Sequence, residues 1–191
     1  MTATTPTSVT VGGSTIAAAA VVVATEGPVA ASLLGLAPVE SKSVGAVYFA
    51  APQAPIADKL VVLDGTGRGP VLNVAVMSNV APSYAPVGSH LVVAALPGHD
   101  RDTIETDARS QLRGWWGSQV DTWDHLATYR IAHGQPRQRP PFQPKQRVRL
   151  DDGRFVCGDH RDTASIQGAM YSGRRCALAI AAEIGQTDRH V

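Results

Sequence analysis

The segment from Arg154 to Gly185, RFVCGDHRDTASIQGAMYSGRRCALAIAAEIG, constrains the fold more than any other part of the chain. It begins with a short apolar strand, Phe155 to Cys157, which ends at a glycine and a carboxylate, Gly158 and Asp159. Ligands of open α/β sheets lie outside the carboxyl ends of the strands, so we expect Asp159 at a ligand-facing edge. Aspartate is also common in turns, where it accepts local amide hydrogen bonds, and this alternative stays open.

A long helix is predicted after this turn. Ser165 is a suitable N-cap, and apolar residues then recur at helical spacing, which predicts one apolar stripe packed against a sheet. The stripe consists of Ile166, Ala169, Met170, Gly173, Ala177, Ile180 and Ile184.

The first two turns of this helix lack large side chains. Gln167, Gly168 and Ala169 form one such cluster, and Ser172 with Gly173 forms another. A glycine inside a helix costs about 1 kcal/mol relative to alanine, so some group is expected to approach closely there. The positive end of a helix suits an anion or an electron-rich carbonyl that lies against the backbone. Tight packing of the helix on its sheet is the alternative explanation.

These residues resemble the C-terminal flavin motif of a superfamily of FAD-dependent oxidoreductases that includes flavin-containing amine oxidases, phytoene desaturases and protoporphyrinogen oxidases. The resemblance is carried by Gly158-Asp159, by Ser165 to Ala169 and by Ser172-Gly173. It implies that Asp159 binds the ribityl or pyrophosphate part of FAD and that the backbone of residues 167–169 lies at the pyrimidine edge of the ring. The implied cofactor-binding residues are Gly158, Asp159, Ser165, Ile166, Gln167, Gly168 and Ala169.

The N-terminal part predicts a hairpin followed by a strand–helix unit. Ser8 to Thr25 is interpreted as a hairpin that turns at Gly12-Gly13, and Val21 to Thr25 is typical of a strand covered on both faces. Pro28 suits the first turn of a helix from Val29 to Leu36. The superfamily has a similar strand and helix near its cofactor, although any α/β protein can contain such a unit.

The middle of the chain predicts an antiparallel meander of short strands separated by segments rich in proline and glycine. A helix from Asp102 to Gly117 and a strand from Val120 to Ile131 are expected next. The basic, proline-broken stretch from Gly134 to Gln146 is predicted to be a loop. The predicted strands of the meander are 43–50, 59–64, 71–81 and 90–97.

We therefore predict an α+β fold. The resemblance implies an α/β remnant of a cofactor domain, with an incomplete FAD-binding Rossmann-like fold, and an antiparallel substrate-domain sheet of which one face lines the flavin cavity. Residues 1–36 and 151–187 would form the C-terminal part of the FAD-binding domain. Residues 37–150 would form the substrate-domain-like sheet with one helix.

The substrate pocket is implied only by the resemblance, which assigns Trp123, Tyr129 and Pro136 to it. Tryptophans of this kind more often pack in a core. No catalytic residue is identified. His160 beside Asp159 is a candidate acid or base because histidine titrates near neutrality, but a loop histidine without a partner usually faces solvent.

The glycine-rich dinucleotide motif of such enzymes has no counterpart in the sequence. A strand, a GxGxxG turn and a helix would bind the pyrophosphate of FAD, and the nearest glycine cluster, Gly65 to Pro70, has the wrong spacing and is predicted to be a hairpin loop. The resemblance therefore implies the C-terminal portion of the enzyme, with the N-terminal FAD-binding half supplied elsewhere, for example by a separate chain. Alone, this chain should not hold FAD tightly.

Two functions from different classes are predicted. The first is an FAD-dependent oxidoreductase, in which this portion supplies the flavin-ring side of the FAD site and part of a pocket for a small molecule. The alternative is a non-catalytic remnant or partner-binding α+β domain, whose exposed seam would follow Val21 to Thr25 and the last helix. Neither the substrate nor the electron acceptor follows from the residues.

Composition argues against several partners and locations. The formal net charge of +1 gives no whole-chain attraction to nucleic acid or anionic lipid. Ile16 to Thr25 is about half as long as a membrane span, and no basic leader before an apolar core suggests a secretory signal. Cys157 and Cys176 lack paired spacing, which indicates a reducing compartment and hence the cytoplasm. Cys157 and His160 are too few ligands for a metal site.

Overall fold

Two compact units make up the protein in the computed structural model, which describes residues 3–99 and 101–187. The first unit joins Met1–Ser41 to Gln135–Val191, and the second unit is Lys42–Gly134. Met1 and Thr2, which open the predicted segment 1–36, lie outside the described residues. Helices and antiparallel sheets are mixed, which confirms the predicted α+β class.

The boundaries of the two units differ from the predicted domain boundaries. The predicted divisions after residue 36 and before residue 151 both fall inside the first unit. The assignment of one unit to cofactor binding and the other to substrate binding stays a prediction.

The described residues form ten strands and four α-helices. Short 3-10 turns lie at Pro82–Tyr84, Gly117–Thr122 and Asp159–Arg161. In chain order the elements are β1 (Ala3–Thr5), β2 (Ser8–Val11), β3 (Ser14–Ala17), β4 (Val22–Val23), α1 (Gly27–Leu34), β5 (Ser41–Ala51), β6 (Val61–Leu63), β7 (Asn73–Val76), α2 (Met77–Val80), β8 (His90–Pro97), α3 (Ile104–Trp116), β9 (Asp124–Pro136), β10 (Phe155–Val156) and α4 (Ile166–Thr187).

The first unit is built around a parallel pair of strands, β4 and β10, in which Phe155 lies opposite Val22 and Val156 opposite Val23. On one side, Val23 and Val156 pack against Ala30 and Leu34 of α1. On the other side, Phe155 packs against Cys176 of α4. The pair therefore forms the middle layer between two helices.

Arg154 connects three elements of the first unit. Its guanidinium donates hydrogen bonds to the carbonyl oxygens of Leu33 and Leu34, each at 3.2 Å, and so satisfies the last turn of α1. It also donates to the hydroxyl oxygen of Thr4 in β1 at 3.1 Å and pairs with Asp152 at 2.6 Å. The start of β10 is thereby tied to α1 and to the antiparallel sheet β1-β2-β3.

The predicted hairpin from Ser8 to Thr25 is confirmed only in its first part. β2 and β3 pair across Gly12-Gly13, but β3 ends at Ala17 and the next strand contains only two residues. Ile16 is 60% exposed and Val22 is 40% exposed, so a continuous strand buried on both faces was wrong. Val21 and Val23 point into the core, and Val22 points out of it.

The second unit is a five-stranded sheet in the order β6-β7-β8-β5-β9. Strands β6, β7 and β8 follow one another as the predicted meander, and the loop at Gly65 to Pro70 connects β6 to β7. β5 pairs with β8 instead of β6, so the simple meander was wrong for this strand. The longer β5, with eight residues in register on β8, extends the sheet on its other side.

Two predicted strands of the second unit change most in their bounds. The predicted strand 71–81 ends at Val76 and continues as the short helix α2. The predicted strand from Val120 begins only at Asp124, after a 3-10 turn, and runs to Pro136 into the segment predicted to be a loop. Helix α3 is confirmed, and its buried residues Ile104, Ala108 and Leu112 are those expected from helical spacing.

One face of the sheet carries the core of the second unit. The fully buried residues of β5 and β8 pack against those of α3, since alternate residues of a strand point to the same face. The largest members of this core are Phe49, Leu96, Ile104, Leu112 and Trp123. Within residues 3–99 and 101–187, no helix has the length and hydropathy needed to cross a bilayer.

Gly45 of β5 offers a test of this packing. A β-carbon there would lie 1.9 Å from Cδ1 of Ile104 and 2.5 Å from the carbonyl oxygen of His99. We expect Gly45→Ala to lower the free energy of unfolding by about 1–3 kcal/mol, as measured by urea denaturation. Gly114→Ala is the matched control, because Gly114 lies in α3 with open space around it and alanine should stabilise the helix by up to about 1 kcal/mol. Equal effects at the two positions would contradict the packing.

Candidate functional site

Gly158 forms the tip of β10 with a backbone conformation that favours glycine, since its φ is +147°. A β-carbon at this position would lie 2.6 Å from both Nδ1 and Cε1 of the His160 ring. The glycine therefore makes room for the ring and lets the chain turn sharply. Asp159 opens the 3-10 turn that follows.

Ser172 fastens this tip to α4. Its hydroxyl is fully buried, accepts a hydrogen bond from the Gly158 amide at 2.9 Å and donates toward the Gly158 carbonyl oxygen at 2.8 Å. The same hydroxyl also lies 2.9 Å from the carbonyl oxygen of Ala169, and the Gly158 carbonyl accepts a further hydrogen bond from the amide of Arg161 at 3.1 Å. In the sequence, Ser172 stood out only for its small size. Its hydroxyl, beside the end of a predicted strand, is the signal that could have indicated this contact.

The loop between the strand tip and α4 is anchored by an ion pair. Arg175 of α4 lies 3.0 Å from the carboxylate of Asp162, which is only 8% exposed. The same guanidinium donates to the carbonyl oxygens of Gln146 and Arg161, at 2.8 and 3.0 Å. The loop is therefore held against the helix at its middle as well as at its start.

The predicted N-cap of α4 is confirmed. The hydroxyl oxygen of Ser165 accepts a hydrogen bond from the amide of Gly168 at 3.0 Å. The amides of Ile166 and Gln167 have no acceptor among the described residues. Both groups lie at the positive end of a 22-residue helix, where an anion or a carbonyl oxygen is favoured.

The carboxylate of Asp159 is available for a ligand. Nδ1 of His160 lies 3.9 Å away, which is too long for a hydrogen bond. No described residue donates a hydrogen bond to this carboxylate, and 32% of the side chain is exposed. The alternative of a turn residue that accepts local amide bonds therefore has no support in the geometry.

Gly168 has a local reason to be glycine. A β-carbon there would lie 1.9 Å from the carbonyl oxygen of Thr163, so the loop before α4 crosses the helix at this point. The close approach inferred from the sequence is thus made by the backbone of Thr163. Around Gly173 there is open space.

The apolar stripe predicted for α4 was wrong by about one residue in its orientation. Ile166 is 83% exposed, Met170 is 69% exposed and Ile184 is 41% exposed. The inward face is formed instead by Gly168, Ser172 and Cys176, which recur every four residues. Their small size lets α4 approach β10 closely, while Ile166 and Met170 remain on the outer face. Ile180 of the predicted stripe does pack against the core.

His160 is buried, so the expectation that it faces solvent was wrong. Its side chain is 2% exposed, and neither ring nitrogen has a hydrogen-bond partner among the described residues. Burial lowers the pKa of His160, and the positive charge of Arg161 lowers it further, while Asp159 acts in the opposite direction. The imidazole is therefore held in its neutral form.

The residues assigned to a substrate pocket occupy different environments. Trp123 is 3% exposed and packs against Phe49 in the core of the second unit, with ring centroids 5.7 Å apart. Tyr129 is 55% exposed and makes an edge contact with Tyr48 at 5.4 Å. Pro136 lies in the first unit, where it lines a cavity of about 640 Å³ together with His160.

The second face of the five-stranded sheet is apolar and incompletely covered. Cross-strand register aligns Val61, Ala75, Val93 and Tyr48 in one row of this face. A neighbouring row is formed by Leu63, Asn73, Ala95 and Ala46. Val61 is 56% exposed and Leu63 is 69% exposed, so an apolar ligand has access to the edge of this face.

The family of this chain follows from its similarity to known proteins. The profile of the flavin containing amine oxidoreductases matches residues 2–181. The chain belongs to this family. No protein of curated function matches the sequence significantly.

Solved structures support the same fold at low sequence identity. An Exiguobacterium protein assigned as a protoporphyrinogen oxidase has a TM-score of 0.71 at 15% identity, over 92% of this chain and 44% of its own. Reduced UDP-galactopyranose mutase has a TM-score of 0.68 at 12% identity, over 95% and 44%. An oxidoreductase from Methanosarcina mazei has a TM-score of 0.53 at 13% identity, over 91% and 44%. The chain thus spans less than half the length of these structures.

The described residues fit a flavin, the cofactor that the family name implies. Such a ring offers carbonyl oxygens and ring nitrogens, and its side chain offers hydroxyl groups. The amides of Ile166 and Gln167 can donate to the former, and the carboxylate of Asp159 can accept from the latter. Hydrogen bonds of this kind need donors and acceptors that the protein itself does not use, and these three groups meet that condition.

Replacement of Ser172 tests how the strand tip is held. Ser172→Ala leaves the partly buried amide of Gly158 without its partner, while the Gly158 carbonyl keeps the amide of Arg161, so we expect a loss of about 1–3 kcal/mol in the free energy of unfolding. Urea denaturation measures this loss. Gly173→Ala is the control on the next residue, where there is open space, and it should leave stability unchanged or raise it by up to about 1 kcal/mol. A neutral Ser172→Ala variant would show that the tip is held by other contacts.

The buried His160 predicts a dependence of stability on pH. Because its pKa in the folded protein lies below the ordinary value of 6.5, the unfolded chain binds more protons as pH falls below that value. Stability should therefore fall on acidification, with a contribution of up to one proton to the slope. We expect His160→Phe to flatten this slope between about pH 7 and pH 5, while above about pH 8 the two proteins should show parallel profiles. Identical acid slopes would contradict a buried neutral imidazole.

Proposed function

We propose that this chain forms the flavin-ring side of an FAD site in an oxidoreductase of the amine oxidase family. The observation that carries the proposal concerns three groups without a hydrogen-bond partner among the described residues. They are the carboxylate of Asp159 and the amides of Ile166 and Gln167 at the start of α4. These groups lie within residues 2–181, over which the family profile matches. The remaining proposed cofactor residues, Gly158, Ser165, Gly168 and Ala169, shape the backbone around them.

FAD would supply the hydride-accepting chemistry when bound, and the residues of this chain supply position and electrostatics. Asp159 accepts hydrogen bonds from hydroxyl groups of the cofactor side chain. The amides of Ile166 and Gln167, with the helix dipole behind them, stabilise negative charge at the electron-rich edge of the ring. Ser172 and Arg175 act by holding Gly158 and the loop in place.

We also propose that the second face of the five-stranded sheet contributes to a pocket for a small-molecule substrate. The rows from Val61 to Tyr48 and from Leu63 to Ala46 are apolar apart from the amide of Asn73 and the hydroxyl of Tyr48. Such a lining suits the apolar part of a ligand, with a few polar groups that fix its orientation. Trp123 supports this sheet from its core face.

The outer face of α4 supports the view that the first unit is covered by further parts of the fold. Ile166, Met170 and Leu178 are 83%, 69% and 61% exposed, which is unusual for large apolar residues on one helix. The parallel pair of β4 and β10 is also small, because parallel strands normally lie inside larger sheets. We assign this face to the nucleotide-binding part of the FAD domain, carried either on the same polypeptide or on a separate one.

A partner-binding domain without catalysis is the second candidate function. The same exposed face of α4 favours it, because a non-catalytic domain would also need a partner to cover this surface. The two functions differ in whether the completed protein retains flavin.

The test is the flavin content of the complete protein, expressed as this chain together with the remaining part of the fold. We expect Asp159→Asn to weaken flavin binding by about tenfold to a hundredfold, since a hydrogen bond to a charged group contributes about 1.5–3 kcal/mol. Visible flavin absorbance and equilibrium dialysis measure the loss.

Asp151→Asn is the charge-matched control for this test. Asp151 is an exposed carboxylate whose partner is Arg147, and its replacement should leave flavin content unchanged. Full flavin retention by Asp159→Asn would remove Asp159 from the site. A complete protein that never carries flavin would favour the partner-binding domain. Tight, stoichiometric binding of FAD by this chain alone would contradict the need for the nucleotide-binding part.

A further inference from the structure

The two cysteines of the chain lie against each other in the first unit. Cys157 directly follows β10 and is half-buried, and Cys176 is buried on the face of α4 that packs on this strand. Both cysteines pack in the same apolar cluster as Phe155, and each thiol influences the pKa of the other. The spacing of the two cysteines in the sequence does not suggest a pair. They come together because α4 packs on β10.

The register between β10 and α4 explains why the thiols meet. Gly158 is bonded to Ser172, and Cys176 lies one helical turn beyond Ser172, about 6 Å along the axis. One residue back from Gly158 along the strand is Cys157. The hydrogen bonds of Ser172 thus hold the strand at Cys157 beside the turn of α4 that carries Cys176.

We propose that Cys157 and Cys176 are a modification site at which hydrogen peroxide, or a related two-electron oxidant, forms a reversible disulfide. The sulfur of Cys157, the more accessible thiol, attacks the O–O bond of the peroxide, becomes a sulfenic acid and releases one water. The sulfur of Cys176 then attacks the sulfur of Cys157, and the sulfenic oxygen leaves as a second water. Two thiols lose two electrons and two protons, and one peroxide becomes two waters.

The environment of the pair makes this a slow reaction. Burial raises the pKa of both thiols, that of Cys176 to about 11, so little thiolate is present near neutral pH. The pair therefore responds to sustained oxidation and does not act as a rapid peroxide-consuming centre.

The disulfide would act on the strand tip. It would join the residue before Gly158 to α4, one turn below the contact of Ser172, and so fix the tip that carries Asp159. In the reduced protein this connection depends on hydrogen bonds and packing alone. The inference rests on the packing of both cysteines in one cluster beside the Ser172–Gly158 contact and is independent of the proposed flavin site.

The experiment exposes the purified chain to hydrogen peroxide and follows intact mass and free thiols under non-reducing conditions. We expect a monomer that has lost two hydrogens and both free thiols, with a single cross-linked peptide pair containing Cys157 and Cys176. Dithiothreitol should restore the starting mass. The closed loop should raise the midpoint of thermal unfolding by at least about 3 °C relative to the reduced protein.

Single-residue variants separate the two steps. Cys176→Ala should leave Cys157 as a sulfenic acid that dimedone traps, and Cys157→Ala should leave the buried Cys176 unmodified over the same time. Persistence of two free thiols, disulfides only between different molecules, or over-oxidation of Cys157 without a cross-link would each overturn the proposal.

Discussion

The hydrogen bonds between Ser172 and Gly158 are the contact on which the arrangement of the candidate site depends. They join the end of a buried strand to the second turn of α4, at 2.9 and 2.8 Å. Asp159 follows Gly158 directly, so the same contact determines where the carboxylate stands relative to the helix. The ion pair of Arg175 with Asp162 then fixes the rest of the loop.

This contact also explains the composition of α4. A serine hydroxyl reaches the strand backbone only if the helix lies close, and Gly168 and Cys176, on the same face, permit that approach. Ile166, Met170 and Leu178 are consequently directed outward. An inward face of small residues and an outward face of large ones fits a helix that has further protein on its outer side, which accords with a chain covering 44% of its structural relatives.

The sequence predicted local structure better than packing. Phe155 and Val156 as a strand, Ser165 as an N-cap and the helices α3 and α4 depend on short-range signals that are confirmed. The orientation of α4 was wrong because hydrophobic spacing was used, whereas the size of Gly168, Ser172 and Cys176 decides which face is buried. Hydrophobicity alone does not record how close two backbones come.

Other features depended on contacts between distant parts of the chain. The placement of β5 beside β8 and the burial of Val23 without Val22 are set by which strands pair, and nothing local encodes this. The burial of His160 follows from the sharp turn at Gly158 and the packing of α1 above it. The sequence could not predict that the Asp159 carboxylate accepts no hydrogen bond from a described residue, because this depends on where every nearby donor lies.

An experimental structure of the complete protein with its flavin bound would show whether this site is correct. We expect the carboxylate of Asp159 within hydrogen-bonding distance of the cofactor side chain. We also expect the amides of Ile166 and Gln167 to face the flavin ring, while Ser172 remains bonded to Gly158. A flavin bound elsewhere, or an Asp159 carboxylate directed away from the start of α4, would contradict the assignment of this site.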